Sequence, residues 1–251
     1  MARTPIVSIT FDDGNISQIS EFYPILKRYG FAATFYVVAG QIGLPGKLSM
    51  DDLHRLFREG NEIGSHGMTH RSLLRIPAIQ ATVELEKSRD ILKRFDTRAF
   101  SYPFGHYDMK VCSQARCYYE SARGFSSHVS VNSIECLEKY ALRSFPVDGT
   151  FQSRIDPERP EYLLSSRETV ESHGWLILTL HGRTSISRRH LSSLLRRANL
   201  TREQMHAYAR DIRGRLSVRH SSVLRNFDRF CSDLVHEKIV VKTVSRALEE
   251  L

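Results

Sequence analysis

IVSITFDDG, the stretch from Ile6 to Gly14, joins an apolar, β-branched run to two adjacent carboxylates and a glycine. The run predicts a buried β-strand. Neighbouring side chains of an extended chain point to opposite sides, and the backbone turns where the strand ends, so Asp12 and Asp13 can do separate jobs. One can hold a metal ion while the other handles a proton. An Asp-Asp-Gly after a strand is more often a turn and a helix cap, so this motif alone is weak evidence for a catalytic site.

Strand-like and helix-like segments alternate along the rest of the chain. The predicted strands are Ile6–Phe11, Ala32–Val38, Glu62–Gly64, Ala99–Tyr102, Ala141–Val147, Trp175–Leu180 and Ile239–Val241. The predicted helices are Ser17–Tyr29, Ser49–Glu59, Pro77–Phe95, Ser166–His173, Val223–Glu237 and Thr243–Leu251. Repeated βα units predict a parallel sheet, either a doubly wound sheet or a barrel.

The positions of the polar residues favour the barrel. In a barrel, catalytic residues collect at the carboxyl ends of the strands. Asp12 and Asp13 follow one predicted strand, His66 follows another and His181 follows a third. We therefore predict an α/β fold of the (β/α) barrel type.

The bulk composition fits one domain, residues 1–251. The chain has 251 residues and 41% apolar content, which is enough for a large core. No stretch is long and apolar enough for a membrane span. The start, Met-Ala-Arg-Thr-Pro, carries no apolar leader, so we expect a cytoplasmic protein.

A basic segment interrupts the βα rhythm after His181. The net charge is +8, and arginines are concentrated between Arg183 and Arg229. Two polar amphipathic helices, about Arg188–Ala198 and Arg202–Leu216, predict a helical insertion over residues 183–222. It is interpreted as a solvated surface, a lid, a rim for a phosphate-bearing substrate or a contact between subunits. No known nucleic-acid motif marks it, so we do not expect nucleic acid as a partner.

The second chemical motif is GSHGMTH, from Gly64 to His70, which spaces two histidines four residues apart. On one helical turn, residues i and i+4 share a face, so both imidazoles can reach one ion. Together with Asp13 they offer two nitrogens and one oxygen. Such a set leaves coordination positions open for water and substrate, as a catalytic metal requires.

Four motifs now resemble those of one family, the polysaccharide deacetylases of the NodB-homology type, carbohydrate esterase family 4. The matching segments are Thr10-Phe11-Asp12-Asp13-Gly14, His66 to His70, Tyr102-Pro103-Phe104-Gly105 and Leu178-Thr179-Leu180-His181. The resemblance runs from Ile6 to about Gly182 and resumes at Val223. It implies a distorted, incomplete (β/α) barrel, with the insertion after the last motif strand.

The resemblance also implies roles for five residues. Asp13, His66 and His70 would bind one divalent metal ion, Zn²⁺ foremost, with Co²⁺, Ni²⁺, Mn²⁺ and Fe²⁺ as alternatives. Asp12 would take the proton of the attacking water as a general base. His181 would protonate the leaving amine.

The third motif would serve the oxyanion and the substrate. The family places an oxyanion-binding backbone N–H at the residue that matches Phe104. Tyr102 and Gly105 flank it and are predicted to line the same site.

This sequence departs from the family pattern at three places. The third motif usually begins with an arginine that contacts the base, and here that position is Ser101. Arg143 is predicted to supply the charge instead. The acidic fourth motif has no clear match, with Asp148 as the candidate, and Asn15 stands where proline is common.

The function implied is a metal-dependent hydrolase that removes acetyl groups from an N-acetylated amino sugar in a polysaccharide, an oligosaccharide or a sugar precursor. A non-sugar amidase or deformylase of the same family is one alternative. A carbohydrate-binding pseudoenzyme is another, supported by Ser101 and the missing fourth motif. An iron oxygenase is a third, because two histidines and a carboxylate also bind ferrous iron.

Overall fold

The protein is described here by a computed structural model covering residues 6–126, 131–146, 174–182, 224–225 and 227–251. This part of the chain contains eight parallel strands. They are β1 (Ile6–Phe11), β2 (Thr34–Val37), β3 (Glu62–Ser65), β4 (Ala99–Ser101), β5 (Ser121–Phe125), β6 (Leu142–Pro146), β7 (Trp175–Leu180) and β8 (Val240–Val241). Strands β1 to β7 pair around a closed ring, with β7 returning to β1. The predicted (β/α) barrel is confirmed, with seven strands in the ring.

Closure of the barrel depends on β1, because one edge of this strand pairs with two different strands. Its first residues, Ile6 and Val7, pair with β8. Its last residues, Thr10 and Phe11, pair with β2. The whole length of β1 pairs with β7 on the other side. The ring is therefore completed only near the carboxyl end of β1, where Asp12 and Asp13 follow.

Helices cover the outside of the barrel. They are α1 (Tyr23–Tyr29), α2 (Met50–Arg58), α3 (Ala78–Leu92), α4 (Met109–Ala115), α5 (227–236) and α6 (Val244–Glu250). A π-helical turn, Gln18–Phe22, leads into α1. Helix α2 begins with a reciprocal capping box, formed by Ser49 and Asp52. None of the helices in these described ranges is long and apolar enough to cross a membrane.

Strand β1 shows how the side chains divide between two environments. Val7, Ile9 and Phe11 belong to the apolar cluster that packs under α1, α2 and α5. Alternate residues face the other way: Ile6 packs with Trp175 in a separate cluster, and the Trp175 indole N–H donates to Ser8 Oγ at 2.9 Å. The same alternation carries Asp12 to the inner side of the barrel.

Two elements were absent from the sequence prediction, the helix α4 and the strand β5. They continue the βα rhythm between β4 and β6, so the topology is more regular than the sequence suggested. The predicted helix Ser166–His173, the insertion at residues 183–222 and the candidate acid Asp148 lie outside the described residues.

Candidate active site

The two aspartates at the end of β1 occupy different environments. Asp12 is completely buried, whereas the Asp13 side chain is 21% exposed. Asp13 has a φ of 72° and Gly14 one of 61°, so the chain makes a left-handed turn immediately after the strand. A non-glycine residue in that region is uncommon and concentrates at functional sites. The turn is what separates the two carboxylates, as their proposed division of roles requires.

Asp13, His66 and His70 form a cluster of possible metal ligands, with one ligand atom from each lying within 4.8 Å of the others. Asp13 Oδ1 lies 3.7 Å from His66 Nε2 and 3.3 Å from His70 Nε2. His66 Nδ1 lies 2.7 Å from the carbonyl oxygen of Ser101. That contact requires a proton on Nδ1, which leaves the Nε2 lone pair directed to the cluster. Two imidazoles and a carboxylate fit a Zn²⁺ site with open positions.

Burial keeps His70 in the form that binds metal. Desolvation, followed by the neighbouring charge of His66, lowers the pKa of His70 from 6.5 to about 4, although Asp13 acts in the opposite direction. His70 is therefore a neutral imidazole at pH 7, with a free lone pair.

The segment that carries the two histidines is a loop, so the prediction of a shared helical turn is wrong. His70 has a φ of 61° and Gly67 a φ of 80°, which no helix contains. The loop is held from α3 by Glu84, which accepts hydrogen bonds from the backbone N–H groups of Met68 and Thr69. Glu84 was missed because the α3 sequence gives no sign that one of its acids points inward.

Each carboxylate oxygen of Asp12 accepts a hydrogen bond. An Arg123 Nη2 group donates to Oδ1, and Ser101 Oγ donates to Oδ2 at 3.2 Å. Burial raises the pKa of Asp12, but the charges of Arg123, His66 and His181 outweigh it, and the net shift is downward. Asp12 is thus held as a carboxylate inside the barrel.

The cation beside Asp12 is Arg123 and not Arg143, the residue predicted from the sequence. Both arginines lie on strands of the barrel, Arg123 on β5 and Arg143 on β6. The Arg143 side chain is exposed on β6, whereas Arg123 is completely buried on β5. Because β5 was not predicted, neither was its arginine.

His181 follows β7 and is nearly buried, with its ring 5.8 Å from the ring of Phe125. Its carbonyl oxygen accepts from Asn15 Nδ2 at 2.8 Å and from Gln18 Nε2 at 3.1 Å. Gln18 Nε2 also donates to the carbonyl oxygen of Asp12. The loops that carry the candidate base and the candidate acid are therefore tied together.

The loop after β4 brings the third motif to the same place. Phe104 has a φ of 62° and is 41% exposed as a residue, and its ring centroid lies 4.6 Å from that of His70. Gly105, with a φ of 69°, has no room for a side chain because a Cβ there would lie 2.6 Å from the ring of Phe125.

Tyr102 differs from its prediction. Its ring is completely buried among Phe100 and other residues of the outer layer, and its hydroxyl donates to the carbonyl oxygen of Tyr140 at 3.0 Å. The side chain therefore packs the core and does not line the site, while Phe104 presents an exposed ring there.

Comparison with known proteins finds similarity in the first half of the chain. Residues 2–118 match the family profile described as Polysaccharide deacetylase. The protein YxkH of Bacillus subtilis (strain 168) is 30% identical over 112 residues, which are 43% of this chain and 40% of YxkH. The peptidoglycan-N-acetylmuramic acid deacetylase PdaC of the same strain is 30% identical over 90 residues, or 36% of this chain and 18% of PdaC. The chain thus spans less than half the length of these relatives.

A solved structure has a similar fold. The Xyl-CE4 domain of a multidomain xylanase from the hindgut metagenome of Trinervitermes trinervoides superposes with a TM-score of 0.60 at 17% identity, covering 98% of this chain and 91% of that domain. Residues 2–118 are thus similar to the polysaccharide deacetylases, and the barrel has the fold of the Xyl-CE4 domain.

Proposed function

We propose that this protein is a metal-dependent hydrolase that removes acetyl groups from an N-acetylated amino sugar. The observation that carries the proposal is the cluster of Asp13, His66 and His70 beside the buried, ionised Asp12. A relative, PdaC, is named for deacetylation of N-acetylmuramic acid in peptidoglycan, which supports an acetylated amino sugar as the substrate class.

The metal would be held by Asp13 Oδ1, His66 Nε2 and His70 Nε2. When bound, a divalent ion, Zn²⁺ by this donor set, supplies polarisation of the acetamide carbonyl and acidification of water. Glu84 and the carbonyl oxygen of Ser101 are the groups that orient these ligands.

Asp12 is positioned to receive the proton of the attacking water. Its Oδ2 lies 3.8 Å from His66 Nε2, so this oxygen is on the side of the metal ligands. Arg123 occupies the other oxygen, and the hydrogen bond from Ser101 uses one of the two lone pairs of Oδ2. Asp12 therefore acts as the general base through Oδ2, and its carboxylate form is the one required.

His181 and Phe104 complete the reaction. The backbone N–H of Phe104 donates to the oxyanion that develops on the acetamide carbonyl oxygen. His181, as an imidazolium, gives a proton to the amide nitrogen while the C–N bond breaks. The oxygen of water ends in acetate, and the sugar leaves as a free amine.

The test is acetate release from a panel of N-acetylated sugars, nucleotide sugars and chitooligosaccharides by the Zn²⁺-loaded protein. Asp12→Asn and His181→Ala are each expected to lower the rate by about 100-fold or more. Asp96→Asn is a matched control, because Asp96 lies on a surface turn after α3 and its side chain is 79% exposed.

Tight binding of one metal ion without acetate release from any of these substrates would contradict the proposal. Release of formate or of an acyl group from a non-sugar amide would assign the same centre to a deformylase or amidase.

A further inference from the structure

Ser101 and Arg123 are partners in the register of two adjacent parallel strands, β4 and β5. Residues in register on parallel strands point to the same side of the sheet. Both of these side chains reach Asp12, Ser101 through its hydroxyl on Oδ2 and Arg123 through Nη2 on Oδ1. The guanidinium thus approaches the carboxylate at the same level of the barrel, one strand away from Ser101.

The other surroundings of Arg123 do not explain why a charged residue is buried there. Its side chain is completely inaccessible. Nη1 donates to Ser144 Oγ at 3.1 Å, and the guanidinium carbon lies 4.5 Å from the ring centroid of Tyr36. Nε has no hydrogen-bond partner among the described residues. Within that part of the chain, Asp12 is the acidic group that pairs with Arg123.

Stability alone is a poor reason for such a pair. Two buried charges lose their hydration, and apolar side chains of similar volume often stabilise a core equally well or better. A buried charge can instead serve catalysis by holding a reacting group in one geometry. A displacement of about 1 Å can lower a rate by about 100-fold.

We propose that Arg123 is the positioning residue for the general base, supplied from β5 at the barrel level where β4 carries Ser101. The proposal rests on the proposed function of Asp12. Arg123 fixes Oδ1 and so leaves Oδ2 directed to the side of His66, where the proton is received. Ser101, whose hydroxyl is uncharged, contributes one neutral hydrogen bond to Oδ2.

The test moves the arginine between the two strands. Arg123→Ser is expected to lower kcat by about 100-fold, with KM and Zn²⁺ affinity changed by less than about threefold, because Arg123 contacts none of the predicted metal ligands. The exchange variant Ser101→Arg/Arg123→Ser restores a guanidinium beside Asp12 from β4 and is expected to recover at least about tenfold of that loss. Arg123→Lys, which keeps the charge without the fork, is expected to lie between these two.

The competing assignment is Arg143, which is tested in parallel. Arg143→Met is expected to keep kcat within about twofold of the wild-type value. A large loss of kcat in Arg143→Met with none in Arg123→Ser would overturn the proposal. So would equal activity of Arg123→Ser and the wild type. If Arg123→Ser does not fold, Arg123→Lys and the exchange variant decide the same question.

A second readout needs neither substrate nor metal. In a double-mutant cycle, Arg123→Met is expected to lower the Tm of the metal-free protein far more in the wild-type background than in an Asp12→Asn background, because the second background has no carboxylate charge to pair. Equal Tm losses in both backgrounds would show that the pair is not formed and would refute the proposal. If the wild-type protein were inactive but the two Tm losses still differed strongly, the proposed function would be refuted, while the ion pair between Arg123 and Asp12 would still be shown to form.

Discussion

Thr69 is bound to Glu84 by two hydrogen bonds, one from its backbone N–H at 2.8 Å and one from its hydroxyl at 2.5 Å. Thr69 lies between the two histidines of the metal cluster, and Glu84 lies on the outer helix α3, almost fully buried. A third hydrogen bond comes from the backbone N–H of Met68 at 3.0 Å. Since the loop is not helical, this carboxylate helps to hold His66 and His70 in positions from which both reach Asp13, together with the contact between His66 and the carbonyl oxygen of Ser101.

Glu84→Gln is expected to weaken metal binding by about 10- to 100-fold, the range typical when a group that orients metal ligands is altered. The amide oxygen can still accept from the backbone N–H groups of Met68 and Thr69, but the negative charge that strengthens these hydrogen bonds is lost, and the NH₂ group cannot accept from the Thr69 hydroxyl. Competition with a chelator for Zn²⁺ measures the change. Glu86→Gln, exposed on the same helix, is the matched control and should bind as the wild type does.

Addition of Zn²⁺ is expected to stabilise the folded protein. A ligand at 100 times its Kd that binds only the native state contributes about 2.7 kcal/mol to the free energy of unfolding. The Tm should therefore rise on adding Zn²⁺ and fall on chelation. His70→Ala should remove most of this rise, and an unchanged rise in that variant would place the ion elsewhere.

The metal-free protein is expected to lose stability as the pH falls from about 6.5 towards 4. The pKa of His70 is lowered from 6.5 to about 4 in the folded chain, by burial first. In this interval the unfolded chain binds a proton that the folded chain does not, so the stabilisation present above pH 6.5 is lost, by up to about 3 kcal/mol. Denaturant unfolding at a series of pH values measures it, and His70→Gln should flatten this part of the curve.

Gly105→Ala is expected to lower stability by about 3 kcal/mol and to displace Phe104. Its φ of 69° disfavours any side chain, and the new Cβ would lie 2.8 Å from the backbone nitrogen of Phe125. Gly43→Ala separates the two causes, because Gly43 has a φ of 78° and nothing within 4 Å of its Cβ position. Gly43→Ala should lose only the free energy due to the unfavourable φ, about 1 kcal/mol. Thermal unfolding of the two variants measures the difference.

The parallel βα organisation could be predicted from the amino-acid sequence, and so could the places along the chain of the aspartates and histidines that meet at the candidate site. Strand β1 could be predicted because its apolar run is continuous. Side chains alternate between the two faces of a strand, and this alternation places Asp12 on the inner side of the barrel. His66 and His181 could be placed because both follow predicted strands, whose carboxyl ends meet at one rim of the barrel. These inferences need only neighbouring residues and the periodicity of the backbone.

The residues that support Asp12 and the histidine loop could be identified from the three-dimensional structure but not from sequence patterns. Arg123 lies 111 residues from Asp12 along the chain, and Glu84 lies 15 residues from Thr69 on a separate helix. No periodicity distinguishes a buried, paired charge from one on the surface, because the pairing depends on contacts between elements that are distant in sequence. The choice of Arg123 over Arg143 thus came from the register of β4 against β5, which places an arginine beside the base.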